Sequence, residues 1–421
     1  MLKDLIKKKR KKSTLAVLDI GSTKIVCLIA NIKPNGKIKI LGIGHSESSG
    51  FRSGIITDRK LAEMSIITAI DIAEKMSEEN IDKVIVTISS SGLRSHKVKS
   101  KLQLPGNIIN ERDIDNLIKH TIDKFDANRY EVMHYFPVEF SLDNVADIKN
   151  PVGLFGYDLN VLLHLITLPI PLVYNLINCL ADCHIDVEEI VFSTYVAAFA
   201  CLTQDEKDIG VTLIDMGGAS TSYAIFANNI LIHSGLIPLG GINITSDISK
   251  TLSISIKNAE RIKTLYGSAI VTFADNYKMI DIPLIGEEAE GKEISSISNA
   301  NLNNIIAARI GEIFDLLKIA LNNAGIDKSL TERIVLTGGG SLVTGIKEFA
   351  MSNFKSKVRV SKPKILDGLS SEDDLTIFAP AIGVIQQISD KLVQSNYSEN
   401  GDENKKQTTL EHVMSWVKEN L

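Results

Sequence analysis

Two stretches of this chain repeat one another. Leu15-Ala16-Val17-Leu18 is an apolar run that opens into Asp19-Ile20-Gly21-Ser22-Thr23, and a second apolar run, Lys24 to Ile32, follows. Pro34-Asn35-Gly36 supplies a tight turn, and Lys37 to Ile43 reads as a third strand. The same order returns at Val211-Thr212-Leu213-Ile214, which leads into Asp215-Met216-Gly217-Gly218-Ala219-Ser220-Thr221. Ser222 to Ala227 continues, Asn228-Asn229 turns the chain, and Ile230 to Ile237 comes back. One strand–loop–hairpin unit is commonplace. Two of them predict two related lobes, each built on its own sheet.

Helical spacing appears between the units. Leu61 to Met76 carries it, and Leu302, Ile305, Ile306, Ile310, Ile313, Leu316, Leu317 and Leu321 form one stripe closed by Gly325. A buried strand, Ile334-Val335-Leu336, then opens into Thr337-Gly338-Gly339-Gly340-Ser341. Alternating strands and helices place the chain in the α/β class. Its 421 residues, 44% of them hydrophobic, suffice for more than one core.

The formal net charge of −5 argues against a nucleic-acid partner. The run Lys7 to Lys12 is a local exception, read either as a solvated arm or as an electrostatic contact with anionic lipid or an acidic partner. The four cysteines form no CxxC pair, and Cys179, Cys183 and His184 lack the second ligand cluster a zinc site needs. No signal peptide is visible. The greasiest stretch, Val161 to Tyr174, is broken by His164, Pro169 and Pro171, so membrane contact is expected to be peripheral.

The duplicated loops suit phosphate. Turns that converge several backbone amides bind anions, and glycine admits the close approach. Gly21, Ser22, Thr23 and Lys24 form one candidate phosphate loop, and Gly217, Gly218, Ala219, Ser220 and Thr221 the other. Asp19 and Asp215 are placed to hold a hydrated magnesium ion. Gly338, Gly339, Gly340 and Ser341 suit the flat face of adenosine. Neither a Walker loop nor a GxGxxG opening a helix is present.

Two Asp-Gly loops followed by a triple-glycine loop resemble the actin-like ATPase superfamily, and further stretches resemble the FtsA family of bacterial cell-division proteins. These are Tyr130 to Pro137, Asn150 to Gly156, Leu202 to Gly210, Pro238-Leu239-Gly240-Gly241, and Ala259 to Lys263 before Tyr266-Gly267. The resemblance implies an actin-like two-lobed fold with an inserted 1C subdomain and a C-terminal amphipathic helix. It implies a first lobe over 13–83 and 165–203, the 1C insert over 84–164, and a second lobe over 204–240 and 305–394. A 2B subdomain spans 241–304. It implies ATP and magnesium between the lobes, with Glu260 and Lys263 at the adenosine. It also implies self-assembly, contact of 2B with the FtsZ C-terminal tail, and recruitment of later divisome proteins. The location implied is the cytoplasmic side of the inner membrane at the division site. ATP-hydrolysing relatives carry a water-orienting Glu or Gln where this chain reads Ser193 to Ala198. No catalytic residue is assigned, His134 is expected to pack within the insert, and turnover is expected to be slow or absent.

Polar residues dominate from Ser395 to Thr409, which reads as a flexible tether over 395–409. Over 410–421, Leu410, Val413, Met414, Val417 and Leu421 then make one apolar face with Trp416 at its edge, the pattern of an interfacial membrane helix. A helix docked on the protein's own body is the other reading of this segment. Two rivals share the fold: a PilM-like pilus assembly protein, which has no such tail, and a small-molecule kinase, which needs an acidic base.

Overall fold

The computed structural model describes residues 14–125, 129–283, 294–370 and 375–400, with side chains as far as 394. The basic arm and the segment carrying Leu410, Val413, Met414, Trp416, Val417 and Leu421 lie outside the described residues.

The first lobe starts as an antiparallel meander of β1 (Thr14–Ile20), β2 (Lys24–Ile32) and β3 (Ile38–Glu47), because β1 and β2 are too apolar to face water on either side. A short ribbon of β4 (Phe51–Arg52) and β5 (Ile55–Ile56) leads to helix α1 (Arg59–Ser77). Asp58 caps α1 by accepting from the Leu61 amide, and Ala62, Ile66, Ala69, Ile70 and Ala73 form its buried face. Strand β6 (Lys83–Ile88) then runs parallel to β1.

The insert follows as β7 (Arg94–Ile108), α2 (Glu111–Lys124), β8 (Tyr130–Leu142), β9 (Val145–Ile148) and β10 (Phe155–Pro169). Its sheet has the order β7-β10-β8-β9. Ile114, Leu117 and Ile118 of α2 close one face over Leu159, Val161, Leu163 and Leu165 of β10. An Asn110–Asp113 capping box starts α2. The expected limits of 84 and 164 shift here. Strand β6 belongs to the first sheet and β10 continues to Pro169, so the insert spans 94–169. An apolar strand does not record in its own sequence which sheet it will join.

The chain re-enters the first lobe through α3 (Ile170–Asp182), β11 (Asp186–Phe192) and α4 (Ser193–Cys201), and α5 (Gln204–Ile209) leads out. The second lobe repeats the meander with β12 (Val211–Met216), β13 (Thr221–Ala227) and β14 (Ile230–Ile237). Asn228 and Asn229, at φ 50° and 62°, make the left-handed hairpin turn their types allow. Helices α6 (Gly241–Leu252) and α7 (Ile256–Tyr266), the hairpin β15 (Met279–Pro283) and β16 (Ile294–Ser298), and α8 (Asn299–Asn323) come next. Helix α8 is continuous across the expected 304/305 boundary and buries Leu302, Ile306, Ile310, Ile313, Leu317 and Leu321. After β17 (Arg333–Thr337), α9 (Ile346–Phe354) and β18 (Lys357–Val360), helix α10 (Ala379–Asn400) returns to the first lobe, where it packs on α4 and β1. The backbone of 395–400 continues α10, so these residues are helical where a tether was expected, and the rest of the expected tether lies outside the described residues.

The two large sheets have one plan. The first has the order β3-β2-β1-β6-β11 and the second β14-β13-β12-β17-β18, each an antiparallel meander extended by two parallel strands. The duplication in the sequence is thus a duplication of topology. Among the described residues no helix is long and apolar enough to cross a bilayer.

Candidate functional site

The duplicated loops form the same turn. The amide of Gly21 donates to the carbonyl of Lys24 at 3.1 Å, and that of Gly217 donates to Ser220 at 2.9 Å. Each turn follows the inner strand of its lobe, β1 or β12, so both lie at strand ends, where α/β sheets bind ligands. The loops meet between the lobes: a Cβ on Gly218 would lie 2.3 Å from Cγ2 of Thr23. Only glycine lets them approach this closely.

The second loop is stapled to α6. Its Gly217 and Gly218 carbonyls accept from the amides of Gly241 and Ile242 at 3.0 and 2.7 Å. A planar trans peptide sets the next N–H opposite its carbonyl. The amides of Gly218 and Ala219 therefore point away from α6, the arrangement an anion needs. Ser220 is buried, and the Thr221 hydroxyl donates to the Leu239 carbonyl at 2.9 Å, so Thr221 holds the loop rather than facing a ligand.

Asp19 and Asp215 flank the junction. Burial raises the Asp19 carboxyl from 3.8 to about 6, against the opposing effects of a Thr87 hydrogen bond and the Lys24 charge. Burial, and then the negative charge of Asp19, raises Asp215 from 3.8 to about 7. Two carboxylates that disfavour each other's ionisation form a site that a cation would relieve. Two oxygen-donor carboxylates are a donor set that fits a hydrated magnesium ion.

The triple-glycine loop closes the second-lobe side. Gly338 has φ +80°, and a Cβ there would lie 2.2 Å from Oδ1 of Asp215, so the loop packs directly on the carboxylate. Gly339 opens a 3-10 turn as far as Leu342, with Gly340 against Met216. The Ser341 hydroxyl is buried and donates to the Gly338 carbonyl at 2.7 Å, so it braces this loop. Glu260 and Lys263 sit one helical turn apart on α7, paired at 2.7 Å. Lys263 also lies 3.3 Å from the Gly241 carbonyl and 2.9 Å from the Thr245 hydroxyl. The pair therefore borders the start of α6, to which the second loop is hydrogen-bonded.

The sequence did not single out the hydroxyls beneath the loops. Thr87 on β6 donates to Asp19. Ser222 on β13 lies 2.5 Å from the Thr194 hydroxyl on α4 and 3.4 Å from that of Ser89. The run Ser89-Ser90-Ser91-Gly92 after an apolar strand was the available signal. Thr87, Thr194 and Ser222 carried none, because each sits inside an ordinary strand or helix pattern. His134 is also placed differently from expectation. Its Nε2 accepts from the Phe192 amide at 3.0 Å, which ties the insert to the first lobe rather than bracing the insert internally.

The family model described as "Cell division protein FtsA" matches residues 212–383, and that described as "SHS2 domain inserted in FTSA" matches 90–167. The "Cell division protein FtsA" of Agrobacterium fabrum is 34% identical over 381 residues, covering 88% of this chain and 86% of that relative. The chain belongs to the FtsA family of cell division proteins. The Rhizobium meliloti relative is 33% identical over 386 residues, covering 89% and 87%, and the Escherichia coli relative is 26% identical over 408, covering 95% of each. Solved structures agree on the actin-like fold. The "PilM-PilN type IV pilus biogenesis complex" aligns with a TM-score of 0.62 at 12% identity, covering 90% of this chain and 98% of that one. MreB 5 of Spiroplasma citri bound to AMPPNP aligns at 0.54 with 16% identity, covering 93% and 100%. The pilus rival thus shares the fold, while the sequence relatives carry the family. The insert of 94–169 coincides with the matched SHS2 domain to within a few residues.

Proposed function

We propose that this family member binds ATP with magnesium between its lobes, assembles with copies of itself, and anchors FtsZ filaments to the cytoplasmic face of the inner membrane. The observation that carries the nucleotide reading is the meeting of two identical turns at a pair of half-buried carboxylates, roofed by the triple-glycine loop. The amides of Gly218 and Ala219, with the hydroxyls of Ser22 and Thr23 and the Lys24 charge, hold the phosphates. Glu260, Lys263, Gly339 and Gly340 flank the adenosine. Magnesium neutralises phosphate charge and relieves the repulsion between Asp19 and Asp215. Helix α4 presents Thr194 rather than a carboxylate or carboxamide toward the loops, which supports slow or absent hydrolysis. The nucleotide then acts as a conformational ligand for assembly.

Membrane attachment belongs to Leu410, Val413, Met414, Trp416, Val417 and Leu421, inserted at the acyl boundary. A single short helix binds marginally, so many copies in a polymer are needed for a stable hold. The 2B region, 241–304, receives the FtsZ C-terminal tail, and later divisome proteins are recruited to the assembled filament. The test is flotation with liposomes of inner-membrane composition, with and without FtsZ and ATP. Wild type should float and carry FtsZ with it. Burial of one aliphatic side chain contributes about 1.5–3 kcal/mol, so Val417→Glu should abolish flotation and leave ATP affinity unchanged. A wild type that stays with the soluble fraction even when polymerised would end the anchor reading.

A further inference from the structure

The insert is tied to both lobes, and its tie to the second lobe centres on one buried histidine. His164 on β10 is fully buried. Its Nδ1 lies 3.1 Å from the Leu231 carbonyl, and its Nε2 lies 2.9 Å from Ser95 Oγ and 3.4 Å from Ser234 Oγ. Ser95 Oγ is also 3.3 Å from Nδ1 of His233. Leu231, His233 and Ser234 all belong to β14, whereas Ser95 and His164 belong to the insert.

The chemistry gives this chain of bonds one direction. A carbonyl only accepts, so the His164 proton sits on Nδ1 and Nε2 is an acceptor. Ser95 donates its one proton to that Nε2, and its oxygen accepts from Nδ1–H of His233. Burial keeps His164 neutral, as this ordering requires.

The other end of β14 holds the second phosphate loop. Leu236 and Ile237 pair with Ser222 and Thr221. The next residues are bonded to that loop: the Leu239 carbonyl accepts from Thr221, and Gly241 and Ile242 donate to Gly217 and Gly218. Thus one short strand is fastened at its end to the loop and at its middle to the insert. Gly235 lies between these points, packed against the Tyr223 ring, so there is no slack side chain to absorb a shift. On the opposite side, His134 fastens the insert to Phe192 of the first lobe.

We propose that β14 transmits the state of the cleft to the insert, with His164 as the clasp. Any displacement of Gly217–Thr221 on ligand binding moves Leu239 and Gly241, and with them β14 and the hydrogen-bonded edge of the insert. This rests on the nucleotide reading above. Coupling of this kind corresponds to about 5–150-fold effects.

The experiment is hydrogen exchange on the full chain with and without magnesium ATP, in wild type and His164→Phe, which keeps an aromatic ring and removes all three hydrogen bonds. In wild type, ATP should slow exchange in the second loop, 217–221, and by about fivefold or more in 94–98 and 162–167 of the insert. In His164→Phe the loop should still be protected and the effect in the insert should be lost. Equal protection of the insert in both proteins, or none in wild type despite a protected loop, overturns the clasp. No protection at the loop in wild type overturns the nucleotide reading itself, a separate result. Should His164→Phe fail to fold, the smaller His164→Leu removes the same hydrogen bonds, including the one to Leu231, and is read the same way.

Discussion

Replacing Asp215 with Asn should make the nucleotide-free protein more stable. The carboxyl is raised from 3.8 to about 7, by burial first and by the Asp19 charge second. Each tenfold change in proton affinity corresponds to about 1.4 kcal/mol, so keeping Asp215 ionised in the empty cleft costs at most about 4 kcal/mol. Asparagine has the same shape, which matters because Gly338 packs on this side chain. Residual solvent contact and the cost of seating an amide reduce the expected gain to about 1–3 kcal/mol. The sign with pH follows from linkage. A folded-state value above the unfolded one means that the folded protein holds the proton more tightly. That contribution to stability is present at low pH and is lost as pH rises from 3.8 through about 7. The advantage of Asp215→Asn should therefore grow by about 2 kcal/mol between pH ~5 and pH ~8 and then level off. Denaturant titration of both proteins in chelator, across that range, reads the difference directly. Calorimetry should show the opposite trend for function, with weaker magnesium ATP binding by the variant. A variant that is less stable near pH 8, or a difference that does not change with pH, would refute the account of two strained carboxylates.

The acid limb of stability should come from the histidines of the insert and of β14 beside it. Burial lowers His134 and His164 from 6.5 to about 3 and His233 to about 4, so their neutral forms stabilise the fold above 6.5 and that stability is lost as pH falls. Each should cost about 2 kcal/mol by pH ~5, and His233→Phe should flatten the measured pH dependence by that amount. Gly338→Ala should abolish magnesium ATP binding by calorimetry, because it forces a Cβ onto Asp215 at a backbone angle alanine resists; unchanged affinity would remove the loop from the site. Steady-state phosphate release should fall below the ~1–10³ per second of dedicated enzymes, and vigorous turnover by purified protein would mean that a water-orienting group exists away from Ser193–Ala198.

Much of the cleft was legible because its parts are local. A strand that ends in Asp-x-Gly makes its turn from its own residues, so Gly21 and Gly217 could be identified without knowing what lies opposite. The same holds for Gly338, whose left-handed angle is the reason a glycine is there. Serine and threonine were harder to read. Thr221 and Ser341 have the right chemistry for phosphate or nucleoside, yet their hydroxyls are used by Leu239 and Gly338 within the protein. A hydroxyl beside a glycine can serve a ligand or the loop, and only the position of the nearest carbonyl decides.

The sequence by itself determined the duplicated plan of the two sheets, the two acidic turns and the triple-glycine loop, since strand periodicity and turn chemistry act over a few neighbouring residues. Only the tertiary structure decided which strands share a sheet, and so moved the limits of the insert to 94 and 169. It alone brought Thr87, Ser89, Thr194 and Ser222 beneath the loops from separate parts of the chain. It alone set His164 against Leu231, a contact between residues far apart in the chain. Hydrogen-bond partners of that kind are chosen by packing, which leaves no periodic mark on the sequence.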